Sequence, residues 1–365
     1  MKSSDKSGWL FNRRQAAMAA ATALMVAVCG SLPAYGVEPN SNEGTTSLTM
    51  GVSPGSGNTT LVEVADQQGF FEKAGLKVST ITVSSGPAAV TALATGALQA
   101  VPLSVSVITP LIDKGKAFQL ISGQTRTITV LMASPELAKG LSWPESVRAL
   151  KGHKIGITAL SSTTQYMTQS ILEAAGLSAK DVTFVATGHD ADKALMAGHV
   201  DAAMVFGRQI TRLADRGYPI LVDQRSAEAC PAGLQPCGIS LVGVWADADW
   251  VKKNPATVVK IQGALAMADM WLHAPENREK VEDFFGSQLG GDRDPAAVKV
   301  FTDESLKLLT AAYPEHDLAE WFKFDRKNGA ISKDLPAKDS MAAGVPQNES
   351  EVTELAQSFA KRFAD

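Results

Sequence analysis

Residues 48–102 read LTMGVSPGSGNTTLVEVADQQGFFEKAGLKVSTITVSSGPAAVTALATGALQAVP. The apolar run Leu48–Val52 breaks at Ser53-Pro54-Gly55-Ser56-Gly57. A helical segment, Thr60–Lys73, sets Leu61, Val64, Ala65 and Gln68 on one face and stops at Gly75. A second apolar run, Leu76–Val83, enters Ser84-Ser85-Gly86-Pro87, and a helix from Ala88 to Thr95 ends at Gly96. Strand, loop, helix, strand, loop, helix is the pattern of an α/β sheet with parallel strands. Ligands of such sheets lie beyond the carboxyl ends of the strands. Both polar loops fall there, so Ser53, Gly55, Ser56, Asn58, Ser85 and Gly86 are candidate binding residues. Ser104, in the next apolar run Leu103–Val107, joins them.

The Ser-Ser-Gly-Pro loop has two readings. A serine hydroxyl caps the helix and proline suits its first turn. The same helix start offers unpaired N–H groups and a positive dipole end, which favour an anion. Capping alone explains one such loop; two at one sheet edge bring the binding reading forward.

From Lys154 the pattern restarts. The strand Lys154–Ile157, the loop Thr158–Thr164 and the helix Gln165–Ala175 are followed by the strand Val182–Ala186, the loop Thr187–Asp190 and the strand Ala202–Val205. Ser162, Thr163 and Thr164 open the first helix of this half as Ser85 and Gly86 open theirs. Hydroxyls and amides from both halves can close on one anionic head group. His189 stands at the same edge, as a donor, a base or an idle surface residue. Between the halves, Thr127–Ala133 reads as a crossover strand and Ile239–Ala246 as the return. The expected architecture has two α/β lobes: residues 47–130 with 240–365, and residues 131–239.

Residues 70–78, FFEKAGLKV, resemble the GFFEKEGLDV segment of periplasmic solute-binding proteins of the nitrate, taurine and aliphatic-sulfonate type. Gly86–Val90 with Ala92–Gly96 resembles the next helix of that family, and Lys151–Ile157 resembles its DLKGKKIGV segment. The resemblance runs in order from about Leu48 to about Ala268. It implies a type II periplasmic-binding-protein fold: two mixed β-sheets flanked by helices, with a ligand cleft between lobes. It also implies delivery of a small solute to the membrane permease of an ABC importer. Val200–Phe206 resembles the family strand VDAAVVW, which often continues Glu-Pro; here the chain continues Gly207-Arg208-Gln209. The acid that could pair with a ligand amine is absent and a guanidinium is near. Guanidinium suits planar oxyanions, so the departure disfavours taurine. Arg208 and Arg126 are the cationic candidates, against plain surface or hinge roles for both.

Lys2, Lys6, Arg13 and Arg14 precede the apolar segment Ala16–Val28, and Ala34-Tyr35-Gly36 offers a cleavage point. Residues 1–36 are therefore read as a secretory signal peptide, by the general or twin-arginine route, and 37–46 as a polar lead-in. Cleavage would remove four positive side chains and one negative, moving the formal charge from −4 to −7. That disfavours nucleic acid and suits a soluble, monomeric, periplasmic protein. It would also discard Cys29, otherwise a candidate for lipidation, and leave Cys230 and Cys237 as an expected disulfide.

No Gly-Lys-Ser or Gly-Lys-Thr and no His-Glu-x-x-His occurs, and the five histidines lack metal spacing to cysteine. No Gly-x-Ser-x-Gly elbow sits at a tight strand-to-helix turn, since Gly51-Val52-Ser53-Pro54-Gly55 runs on into Ser56-Gly57-Asn58 before the helical segment. Binding without cofactor or metal is expected, with an oxyanion or organosulfonate as ligand. Other readings stay open. A neutral heterocycle such as a pyrimidine precursor would need an aromatic clamp from Phe206, Trp245 or Trp250. Pyrimidine-precursor synthases share the implied fold, and His189 would then be the first catalytic candidate. A sensory subunit is the third.

Overall fold

The computed structural model of the protein describes residues 45–290 and 294–362. The signal-peptide segment, Cys29 and most of the lead-in lie outside them. Among the described residues ten strands follow in chain order: β1 Thr46–Val52, β2 Leu76–Thr82, β3 Ala100–Ser104, β4 Phe118–Arg126, β5 Thr129–Ala133, β6 Lys154–Ile157, β7 Thr183–Ala186, β8 Ala202–Phe206, β9 Ile220–Asp223 and β10 Ser240–Asp247. They form two five-stranded sheets, β2-β1-β3-β10-β4 and β7-β6-β8-β5-β9. In each sheet the first three positions are parallel. The fourth strand is the one that crosses from the other half of the chain, and it runs antiparallel to both neighbours. Both sheets are thus mixed and share one strand order.

Most elements follow the sequence pattern. Leu61, Val64 and Ala65 are buried as one helical face. The helix over 60–73 is instead two, Thr60–Gln67 and Phe70–Lys73, parted at Gln68-Gly69. The expected strand Leu103–Val107 is a correction: β3 ends at Ser104, and Val105–Asp113 is helical. Its β-branched Val105 and Val107 read as strand, but tertiary burial of Val105 and of Ile108 one turn on overrides that propensity. The short strand β9 was not anticipated, because four residues after Tyr218-Pro219 carry too little periodicity.

The chain changes sheet at Thr127-Ile128 and returns between Asp223 and Ser240. The two passages are tied together, since the Thr127 amide and hydroxyl both donate to the Ile239 carbonyl, at 2.7 and 3.0 Å. The return point is held from the C-terminal region. Tyr313 Oη and Trp321 Nε1 donate to the Ser240 carbonyl at 2.9 and 2.7 Å, and the Ser240 amide donates to Asp317 at 2.8 Å. Cys230 and Cys237 are joined in the return segment, as expected. Trp245 on β10 lies at the centre of the first sheet's core, fully buried, with Nε1 donating to the Leu103 carbonyl at 3.2 Å.

Candidate functional site

The carboxyl ends of β1, β2 and β3 meet those of β6, β7 and β8 around one cavity of about 60 Å³. Three helices of nine or more residues begin on it: Gly86–Ala94, Val105–Asp113 and Thr163–Ala174. Ser53, Asn58, Ser85, Gly86, Ser104, Ser162, Thr163, Thr164 and His189 all line it. The rest of the wall includes Val83, Leu103, Val107, Ile128, Phe206 and Leu241, and no Lys, Arg, Asp or Glu contributes.

Most hydroxyls here are already engaged. Ser85 accepts from the Ala88 amide and Ser162 from the Gln165 amide, both at 3.4 Å, so both are helix caps. Ser162 also donates to the Ala159 carbonyl at 2.6 Å and meets Thr164 Oγ1 at 2.8 Å; Thr164 Oγ1 in turn accepts from the Thr158 amide at 3.0 Å. Ser53 Oγ donates to the Val83 carbonyl at 3.2 Å and stitches the first two loops together. Thr163 differs. It is 4% exposed, yet its hydroxyl has no partner among the described residues. The amides of Thr163 and Thr164 likewise find no acceptor among the described residues. Buried polar groups are normally paired, and an orphan needs an explanation.

His189 supplies the cavity's other orphans: both ring nitrogens are buried and unpartnered among the described residues. Burial holds its pKa below the ordinary value, Asp190 opposes the shift and Arg208 adds to it. The ring is therefore neutral at pH 7, one nitrogen donating and one accepting. It stands edge-on to Phe206, centroids 5.9 Å apart. Its loop is held from below by Gln209, whose amide nitrogen donates to the His189 carbonyl at 2.8 Å and to Asp192 at 3.3 Å. The Gln209 side-chain oxygen accepts from the Phe206 amide at 3.2 Å. Asp192 is buried against Arg212.

Gly55, Ser56 and Arg208 lie outside this cavity, on an adjoining chamber of about 370 Å³ that shares Ser53, Val83, His189 and Phe206 with it. Arg208 Nη1 donates to the Gln288 carbonyl at 3.3 Å. At the same junction Gly207 (φ 56°) approaches Ser56 so closely that a β-carbon would stand 2.8 Å from the Ser56 carbonyl oxygen. Arg126 is elsewhere, paired with Glu349 at 3.3 Å. Trp245 is core and Trp250 packs against the core; neither lines the cavity, so of the three clamp candidates only Phe206 does, and its aromatic neighbour there is the edge-on ring of His189.

Thr158, Thr129 and Gln209 are the additions that sequence reasoning did not select. Thr158 lay within a loop already singled out. Gln209 gave no signal, because its role is set by a carbonyl 20 residues away. Among the described residues, no cluster of three or more His, Cys, Asp or Glu is placed to hold a metal, and no helix is long and apolar enough to cross a membrane.

Solved structures share this architecture. A protein of Bordetella bronchiseptica RB50 is 24% identical, with TM-score 0.70, over 86% of this chain and 98% of its own. The alkanesulfonate-binding protein of Xanthomonas axonopodis pv. citri, bound to MOPS, is 17% identical, with TM-score 0.66, over 82% and 99%. The periplasmic nitrate-binding protein of Synechocystis PCC 6803 is 13% identical, with TM-score 0.67, over 86% and 89%. The fold is thus the two-lobe type II binding fold. No curated protein matches the sequence. The NMT1/THI5-like family model matches residues 56–277, more than half of the chain, and the protein belongs to that family.

Proposed function

We propose that the protein captures a small oxyanion or organosulfonate in the cavity between the sheets and delivers it, in the periplasm, to the permease of an ABC importer. The lobes would be residues 47–130 with 240–365 and residues 131–239, with the paired passages at Thr127 and Ile239 as the hinge. Residues 1–36 would direct export, and the protein would work as a monomer.

The observation that carries this reading is the set of orphans. The Thr163 hydroxyl, the first amides of its helix and a neutral His189 surround a space too small for more than a head group. Three helix starts add positive potential without a cation in the wall. An anion with several oxygens would pair these groups at once. An uncharged wall whose two rings, His189 and Phe206, stand edge-on to each other offers a heterocycle little, since a stacking clamp needs two roughly parallel faces.

Structural similarity to an alkanesulfonate-binding and a nitrate-binding protein agrees with this ligand class. The test is a thermal-shift panel of nitrate, alkanesulfonates, taurine, carboxylates and pyrimidine precursors. A ligand that binds only the folded state raises Tm with concentration. Shifts from sulfonates or nitrate support the proposal, and shifts from heterocycles alone refute it.

A further inference from the structure

We propose that the ligand is a two-ended anion, with an oxyanion or sulfonate head in the inner cavity and a carboxylate on Arg208 in the outer chamber. This rests on the ligand class proposed above and adds a second recognition point.

The inner cavity holds no charged side chain, and Arg208 does not reach its wall. Arg208 therefore cannot clasp the head group. It lines the outer chamber, together with Ser53, Ser56, Ser84, Thr187 and Asp190. The two spaces share Ser53, Val83, His189 and Phe206 in their walls and so lie side by side, which is the placement a ligand spanning both requires. The outer space, about 370 Å³ against about 60 Å³, has room for the part of a ligand that the inner cavity cannot take, and Arg208 places a cation on its wall.

The charges leave Arg208 available. The other ionisable group of fixed charge on the chamber wall, Asp190, is engaged by Lys193 at 2.6 Å. Arg208 makes no ion pair among the described residues. Its Nη1 is used on the Gln288 carbonyl, while Nε and Nη2 have no partner there. That edge of a guanidinium takes a carboxylate through two parallel bonds. The resulting ligand class is a short chain with a sulfonate at one end and a carboxylate at the other.

The test is calorimetric titration of the purified protein with ethanesulfonate, sulfoacetate and 3-sulfopropionate at fixed ionic strength, repeated on Arg208→Gln. The expected result is that a sulfocarboxylate binds about tenfold or more tightly than ethanesulfonate. Arg208→Gln should erase that preference while leaving ethanesulfonate within about twofold. Equal affinities in the unsubstituted protein would overturn the two-ended ligand and leave the head-group site intact. Equal weakening of all three by Arg208→Gln would also overturn it, assigning Arg208 to holding the lobes together through Gln288. Failure of every sulfonate to bind would overturn this proposal; nitrate binding in the same titration would then leave the ligand class beneath it standing, and its absence would overturn that class as well.

Discussion

The guanidinium of Arg208 lies against Gly55, so close that a β-carbon on Gly55 would stand 2.7 Å from Nη1 and 3.0 Å from Cζ. Gly55 belongs to the loop after β1 and Arg208 to the helix after β8, so the contact joins the two sheets across the cleft. Gly55 also has φ 73°, a backbone conformation that L side chains rarely adopt. Gly55→Ala should therefore cost about 1–3 kcal/mol of stability from backbone strain and displaced guanidinium together. Urea unfolding measures it; an unchanged midpoint would mean that Arg208 swings away freely.

Ser162 and Thr163 are adjacent hydroxyls with opposite expected behaviour. Ser162 caps its helix and bonds the Ala159 carbonyl, so Ser162→Ala should lower stability by about 0.5–2 kcal/mol. Thr163→Val removes only an orphan hydroxyl, so stability should hold or rise while anion affinity falls by about 1–3 kcal/mol. Paired thermal melts and titrations separate the two. Loss of stability with unchanged affinity in Thr163→Val would return this helix start to a purely structural role.

Gln209 holds the His189 loop through bonds to the His189 carbonyl and the Phe206 amide. Gln209→Leu should strand both groups and one oxygen of Asp192, costing about 1–3 kcal/mol of stability. It should also weaken ligand binding without touching ligand. Unaltered binding in a folded variant would show that His189 needs no such support.

Asp325 sets a pH dependence. It is fully buried, Thr109 Oγ1 donates to it at 2.6 Å, and burial raises its pKa from 3.8 to about 7, against the pull of Ser106 and Thr109. A carboxyl whose folded pKa is raised contributes stability that is complete below its unfolded pKa and lost as pH rises through the folded one. Relative to Asp325→Asn, the unsubstituted protein should thus lose stability between about pH 4 and pH 7. Unfolding free energies of both proteins at pH 4.5, 6 and 8 check it, and a constant difference would contradict it.

The α/β pattern was legible because each strand end carries polar, glycine-containing punctuation, as at Ser53–Gly57 and Ser84–Gly86. The serines at helix starts announced themselves by type and position. What they do was less legible: Ser85 and Ser162 cap, whereas their neighbour Thr163 is left free, and only the hydrogen-bond network tells them apart. Arg208 was chosen for its charge, but sequence has no means of showing that it stands one chamber out from the head-group cavity. Gln209 and the helix Val105–Asp113 depend on contacts far away in the chain, which local propensity does not carry.

A crystal structure with a simple alkanesulfonate bound tests the central claim most directly. The account predicts sulfonate oxygens within hydrogen-bonding distance of the Thr163 hydroxyl, the Thr163 and Thr164 amides and a His189 ring nitrogen. A sulfonate seated elsewhere, with those groups still unpaired, would contradict it.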